Sequence, residues 1–314
     1  MNIPGWLWIA TVTGLIAVIV VDLVIVDRRP HAFGPREAAR WVVFYVALAV
    51  AFGGFLYLTF GATFAAQFAA GYLTEYALSV DNLFVFLVIM TSFAVPAVYQ
   101  HRVLLIGIVI ALILRAILIV LGAELLSRFS WMFFAFGALL LFTAWKLWFG
   151  QNADPDPQGN ALIRLVSRTM PTVPTYHGHR LTVRLDGRRA LTPMALVILA
   201  IGTTDLIFAL DSIPAVLGIT QEAYLVFAAN AFALMGLRQL YFLLSGLIQR
   251  LRYLSHGLAI ILAFIGLKMV LEALHETWAV PLPTIPIWFS LLFIITVLTG
   301  AALASLWHSD ESQR

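Results

Sequence analysis

Nine apolar runs, each long enough to cross a membrane, limit what this chain can fold into. A helix needs about 20 mostly apolar residues to span the hydrocarbon core of a bilayer. Because lipid offers the backbone no hydrogen-bond partners, such runs must be helical. The sequence therefore predicts an all-α, polytopic transmembrane bundle of about nine spans. The runs are 6–26, 40–60, 68–91, 102–123, 131–149, 193–217, 223–246, 256–275 and 286–307.

The composition excludes a soluble domain. Of the 314 residues, 62% are hydrophobic and only 11% are charged, whereas soluble domains carry about 25% charged residues. The chain has no cysteine, which excludes disulfides, thiolate metal sites and cysteine nucleophiles. The net charge of +3 is small and the basic residues lie between spans, so we predict a lipid bilayer, and no nucleic acid, as a partner.

The arginines between the spans predict the orientation of the chain. Loops that are rich in Lys and Arg stay in the cytoplasm. The odd-numbered loops carry most of the arginines, and the 150–192 loop alone has six. We therefore expect the N-terminus outside, and the C-terminus and the 150–192 loop in the cytoplasm. Alternating residues ahead of Asp186 and Gly187 also predict a small hairpin in this loop.

Two matching motifs place carboxylates inside apolar runs. Each motif has an acid, five further residues, a second acid and then a small polar residue. The motif residues are Glu75, Asp81 and Asn82 in the third span, and Asp205, Asp211 and Ser212 in the sixth. Charges inside hydrocarbon are costly, so each one indicates a functional site. Carboxylate, amide and hydroxyl oxygens suit hard divalent cations such as Mn²⁺, Mg²⁺ or Ca²⁺, and we predict that these six residues bind a metal ion.

The motifs belong to a predicted repeat of three spans. Arg115 and Lys146 follow the first motif in the next two spans, and Arg238 and Lys268 follow the second. A unit of three spans must be inverted in its second copy, and inverted repeats form the core of many transporters. The predicted divisions are two peripheral N-terminal spans in 1–63, the first repeat in 64–150, a cytoplasmic linker in 151–192, the inverted repeat in 193–280, and a C-terminal span with a tail in 281–314.

Helix geometry separates the two acids of each motif. Residues six apart in a straight helix lie about 9 Å apart along the axis and about 120° apart around it. We therefore expect Asp81 and Asp211, one from each copy, to bracket a cation near the membrane centre, with Glu75 and Asp205 on opposite sides of that centre. A break in the sixth span near Asp211, which Ser212 and Pro214 would permit, is an alternative.

The four basic residues of the repeat have a predicted role as well. Arg115 and Arg238 are expected to lie near the carboxylates and to neutralise them, with Lys146 and Lys268 as further charge partners. In the alternative interpretation, these ion pairs only hold the bundle together, although buried ion pairs stabilise weakly.

At these residues the sequence resembles the TerC/Alx family of bacterial integral membrane proteins. The resemblance lies in residues 73–85, 99–104, 204–215, 232–238 and 264–268. The family takes its name from tellurite resistance, is grouped with lysine-exporter-like transporters, and is linked to manganese export across the cytoplasmic membrane. The resemblance implies that this chain lies in the bacterial inner membrane and exports manganese, or other divalent cations, through the acidic positions Glu75, Asp81, Asp205 and Asp211.

Three other functions fit parts of the sequence. A proton-coupled exporter of small solutes could use the same acids. A membrane partner that delivers metal to secreted proteins could contact the secretion machinery through the arginine-rich loop. An intramembrane aspartyl protease fits poorly, because Gly202, Thr203 and Thr204 precede Asp205 where that class has Gly-x-Gly. We therefore predict a transporter and not an enzyme.

Overall fold

A computed structural model describes residues 4–27, 35–129, 131–149, 170–178, 180–185, 188–244, 253–278 and 285–311. These residues form a helical bundle with one short hairpin. The elements are α1 (Gly5–Asp27), α2 (Pro35–Phe60), α3 (Ala62–Ser92), α4 (Ala97–Arg128), α5 (Met132–Phe149), β1 (Thr182–Leu185), β2 (Arg188–Leu191), α6 (Pro193–Leu217), α7 (Ala223–Met235), α8 (Leu237–Leu244), α9 (Leu254–Trp278) and α10 (Ile287–Glu311).

Each predicted span coincides with helix in the structure, with one difference. The run 223–246 is not one helix, because it is interrupted at Gly236 between α7 and α8. In the described part of the chain, α2, α3, α4, α5, α6, α9 and α10 are long and apolar enough to cross a membrane. Shorter apolar helices lie in α1 and α7. The protein is therefore a polytopic helical membrane protein, and the total of nine spans stays a prediction.

The bundle is built around six helical segments that correspond to the two predicted repeat units. Within it, α3 packs on α7, α4 on α6, α3 on α6, and α5 on α9. An exchange of the unit α3–α4–α5 with the unit α6–α7–α9 interchanges the pairs α3–α7 and α4–α6 and leaves the pairs α3–α6 and α5–α9 unchanged. This packing is compatible with a repeat, which itself remains a prediction from the sequence.

The backbones of helices α5 and α9, one from each unit, lie in direct contact. A Cβ atom added at Gly137 would lie 2.9 Å from the carbonyl oxygen of Gly266, and one added at Gly266 would lie 3.0 Å from the carbonyl oxygen of Gly137. Small residues allow such contact between membrane helices. Any larger residue at Gly137 would push the two helices apart, because backbone cannot move aside as a side chain can.

Helix α6, which carries the second acidic motif, begins at a well-defined cap. The Thr192 side chain accepts a hydrogen bond from the Ala195 amide, and Pro193 occupies the first helical position, where its missing amide hydrogen is not needed. The helix continues through Pro214 to Leu217. The predicted alternative, a break near Asp211, is therefore wrong: the helix is continuous there, and Pro214 lies in the last turn, where little of the helix remains to be interrupted.

The segment before α6 contains a short hairpin and a loop that contacts the end of α3. Strands β1 and β2 pair antiparallel, with Thr182 opposite Leu191, in the segment where the sequence predicts a hairpin. The Tyr176 hydroxyl donates to the Phe93 carbonyl at 2.8 Å and ties the preceding loop to the end of α3. Burial raises the pKa of Tyr176 above its usual value, so this hydroxyl stays protonated and can donate.

Candidate functional site

A buried arginine, Arg115, joins the acidic motifs of two helices. It projects from the middle of α4 and is only 1% exposed. Its Nη1 donates to Glu75 Oε1 of α3. Its Nη2 donates to Asp205 Oδ1 of α6 at 3.1 Å, and its Nε donates to Asp205 Oδ2 at 3.3 Å. The pair with Asp205 is thus bidentate, which is the strong and directional form of an arginine–carboxylate contact.

Neutral oxygens complete the surroundings of the same guanidinium. Arg115 Nη1 also donates to Asn230 Oδ1 of α7 at 2.7 Å and to Ser212 Oγ of α6 at 3.4 Å. Asn230 and Ser212 are each 1% exposed. Four helices therefore meet at Arg115, and all five side chains are removed from solvent.

The charges of the side chains that the structure describes at this site do not balance. Glu75 and Asp205 carry two formal negative charges against the single positive charge of Arg115. Charges in a low-dielectric interior need close compensation. One more unit of positive charge would neutralise the three groups, and a divalent cation in place of the guanidinium would neutralise the two carboxylates.

Several polar atoms of the site residues, or of residues near them in the chain, are buried and have no hydrogen-bond partner among the described residues. They are Glu75 Oε2, Thr74 Oγ1, Ser79 Oγ and Asn230 Nδ2. Ser79 lies one helical turn after Glu75, so the two side chains share a face of α3. Buried polar atoms are normally satisfied, so unused oxygens beside a carboxylate are available to a ligand.

Asp211, the second acid of α6, lies in a different environment. It is half-buried and accepts a hydrogen bond from Thr143 Oγ1 of α5 at 3.0 Å. Lys146, one turn after Thr143, acts on Asp211 through its positive charge. The role of Lys146 as a charge partner of the motif acids stays a prediction, and Asp205 and Asp211 have separate hydrogen-bond partners.

A cavity of about 560 Å³ lies at the C-terminal ends of α6 and α9. Lys268 lines it together with Gln67, Glu222, Glu272 and His275. The charge of Glu272, one turn after Lys268, acts on the lysine. Lys268 is therefore placed beside Glu272, and the residues that line the cavity do not include Arg115 or its partners.

The comparison with known proteins assigns the chain to a family. Residues 60–313 match the sequence model described as "Integral membrane protein TerC family". The chain belongs to the TerC family. Helix α1 and nearly all of α2 precede the matched region.

Relatives of this TerC chain cover nearly its full length. An uncharacterized membrane protein of Myxococcus xanthus is 39% identical over 309 residues, which cover 98% of this chain and 94% of the relative. An uncharacterized membrane protein of Mycobacterium tuberculosis (strain ATCC 25618 / H37Rv) is 43% identical over 321 residues, which cover 98% of this chain and 81% of the relative. The "Putative membrane-bound redox modulator Alx" of Escherichia coli (strain K12) is 35% identical over 327 residues, which cover 100% of this chain and 99% of the relative. No solved structure matches.

One geometric prediction for the TerC motifs is wrong. Glu75 and Asp205 do not lie on opposite sides of a central site, since both accept from the guanidinium of Arg115. The prediction treated each helix alone and used only the rise along its axis. Helices α3 and α6 pack directly on each other, and the long Arg115 side chain from a third helix reaches both acids.

Two predicted TerC site residues lie outside what the structure describes. The helices that carry Asp81 and Arg238 are described, but the side chains of these two residues are not. A meeting of Asp81 with Asp211, and a role of Arg238 beside the acids, therefore stay predictions. Asn82, the neighbour of Asp81, is buried. Among the described residues, no three His, Cys, Asp or Glu side chains are grouped closely enough to hold a metal ion.

Sequence reasoning missed Asn230. The residue is flanked by apolar residues on both sides in α7, and it belongs to neither acidic motif. The usable signal was the amide itself, because a polar side chain in the middle of a membrane helix indicates a functional or packing role. Its partner, Arg115, could not be identified from the spacing, since the two residues are 115 positions apart.

Proposed function

We propose that this TerC-family protein is a secondary transporter that exports divalent cations, manganese above all, from the bacterial cytoplasm. One observation carries the proposal: two fully buried carboxylates, from the two helices that bear matching motifs, converge on a single cationic group. Among the described side chains, these buried carboxylates outnumber their counter-charges, which favours the binding of a further cation. The position of the acids in helices that bear the predicted repeat fits a transport site at the interface of two halves.

The chemistry of the available atoms supports a hard cation as the substrate. Carboxylates of Glu75, Asp205 and Asp211 and neutral oxygens of Asn230 and Ser212 lie on the inner helices. Oxygen ligands suit Mn²⁺, Mg²⁺ and Ca²⁺, and Mg²⁺ loses its water reluctantly. The preference for manganese and the outward direction rest on the family resemblance. Asp81 and Asn82 complete the proposed ligand set.

An enzymatic role has no support in the arrangement of the acids. A protease dyad requires two carboxylates that share a proton. Asp205 is held by Arg115, and Asp211 is held by Thr143. We therefore propose transport without a chemical step on the substrate.

The test of the proposed function is the metal content of cells with and without the protein. In a strain that lacks other manganese exporters and grows in excess Mn²⁺, cells with the protein are expected to hold less manganese than cells without it. Magnesium, calcium and zinc should be measured in the same samples to define selectivity. Equal manganese in both strains, with the protein present in the membrane, would contradict the proposal.

The proposed orientation places the segment before α6 in the cytoplasm. Because the chain has no cysteine, single cysteines give a clean readout. A cysteine at the exposed Thr175 is expected to react only with reagents that cross the membrane. A cysteine at the exposed Gln221, between α6 and α7, is expected to react with impermeant reagents added outside. The reverse pattern would show that the chain is inserted the other way.

A further inference from the structure

We propose that Arg115 is an exchangeable internal cation. In the described state its guanidinium occupies the acidic site, and a divalent cation replaces it between Glu75 and Asp205 during transport. The inference deepens the proposed export function, on which it rests, by assigning a competitor to the transported ion.

The contacts of Arg115 fit such an exchange. The guanidinium bonds to both acids at once, so it fills the position between two carboxylates where a cation would bind. The planar guanidinium binds carboxylates in a bidentate manner, so it competes with an ion for the same oxygens. The atom Glu75 Oε2 is left without a partner among the described residues, which leaves part of the carboxylate free for another ligand.

Two neutral acceptors bond to the same nitrogen of Arg115 as Glu75 does. Asn230 Oδ1 and Ser212 Oγ already accept from Nη1. If the guanidinium leaves the carboxylates, these oxygens can keep it hydrogen-bonded inside the bundle. This alternative lowers the energy needed for displacement, because a buried arginine without partners would be strongly unfavourable.

The competition has a consequence for release. A divalent ion between two buried carboxylates binds tightly and leaves slowly. A tethered guanidinium that returns to the same oxygens weakens the net affinity for the ion and assists its departure. A guanidinium that never leaves the acids would instead keep Mn²⁺ away from these oxygens in the wild type, so that Glu75→Gln and Asp205→Asn would leave Mn²⁺ binding by the otherwise unchanged protein as it was.

The test compares purified proteins by thermal unfolding with and without Mn²⁺. Arg115→Ala removes the competitor and leaves Glu75 and Asp205 unpaired. It is expected to bind Mn²⁺ on the order of tenfold more tightly than the wild type, and Mn²⁺ is expected to raise its melting temperature by roughly 5 °C or more. Equal ionic strength from KCl is the control for screening. The variant Arg115→Ala/Glu75→Gln/Asp205→Asn keeps the side-chain sizes at the acids, and it should show no such response.

Each outcome is decisive. If Mn²⁺ binds Arg115→Ala no more tightly than the wild type, the exchange is refuted. If this variant can be purified only when Mn²⁺ is present throughout, the exchange is supported. If it cannot be purified under either condition, Arg115→Lys decides, because lysine forms fewer bonds to the acids and should also bind Mn²⁺ more tightly than the wild type. Equal or weaker binding by Arg115→Lys would then overturn the proposal. If the variants bind Mn²⁺ as expected but cells with the protein export no manganese, the proposed export function is refuted and the exchange at Arg115 is not.

Discussion

The double variant Glu75→Gln/Asp205→Asn is expected to lose roughly 3–5 kcal/mol of its free energy of unfolding, because it leaves Arg115 buried without a counter-charge. Each single variant keeps one carboxylate beside the guanidinium, so its loss should be smaller, about 1–2 kcal/mol, the scale of a hydrogen bond to a charged group. Asp205→Asn should lose more than Glu75→Gln, since Asp205 makes the bidentate contact. Thermal and denaturant unfolding in detergent measure these differences.

The matched control is the addition of Arg115→Ala to the double variant. This change removes the unpaired charge, and the triple variant should recover most of the lost stability despite a third substitution. Such recovery is a sign of direct coupling between the side chains. A double variant as stable as the single variants, or a triple variant that is less stable than the double, would refute the conclusion that these acids compensate Arg115.

The variants Asp81→Asn and Asp211→Asn are each expected to abolish manganese efflux while the protein still inserts into the membrane. Asparagine keeps the size and one oxygen, so Asp211→Asn can still accept the hydrogen bond from Thr143. The negative charge is lost, and a hard divalent ion in a low-dielectric interior depends on that charge. Removal of charge from the membrane interior should not hinder insertion. Intracellular manganese and membrane protein levels are the readouts.

Glu124→Gln provides the matched control for the loss of a carboxylate. Glu124 is exposed and pairs with the exposed Arg128 at the end of α4, and exposed pairs contribute at most about 1 kcal/mol. This variant should therefore export manganese like the wild type. Wild-type export by both Asp81→Asn and Asp211→Asn would refute the assignment of these acids to the ion path.

The membrane helices could be predicted closely because one strong physical rule determines them. Apolar runs must be helical in lipid, and α6 begins and ends where its run does. The interruption at Gly236 could not be predicted in the same way, because the run 223–246 is apolar across it. Hydropathy reports where a chain enters lipid and does not report a local change of backbone direction.

The charged members of the acidic site could be predicted from the sequence, but Asn230 and the geometry of the site could not. The cost of charge in a membrane interior is enough to single out Glu75, Asp205 and Arg115 in the sequence. Their convergence depends on how α3, α4 and α6 pack together, and the sequence contains no direct record of that packing. The separation of Asp205 from Asp211 could be predicted, since it follows from the rise of a single helix. The contact of Asp211 with Thr143 could not be predicted, because it depends on how the neighbouring α5 packs.

The most direct test of cation transport uses purified protein in lipid vesicles that contain a manganese-sensitive dye. With Mn²⁺ added outside and the coupling ion supplied as a pH gradient or as potassium with an ionophore, the wild type and Glu124→Gln are expected to carry manganese well above the rate of protein-free vesicles. Asp211→Asn and Glu75→Gln are expected to match the protein-free rate. Manganese flux through Asp211→Asn and Glu75→Gln at the wild-type rate, or none through the wild type under any gradient, would contradict the account.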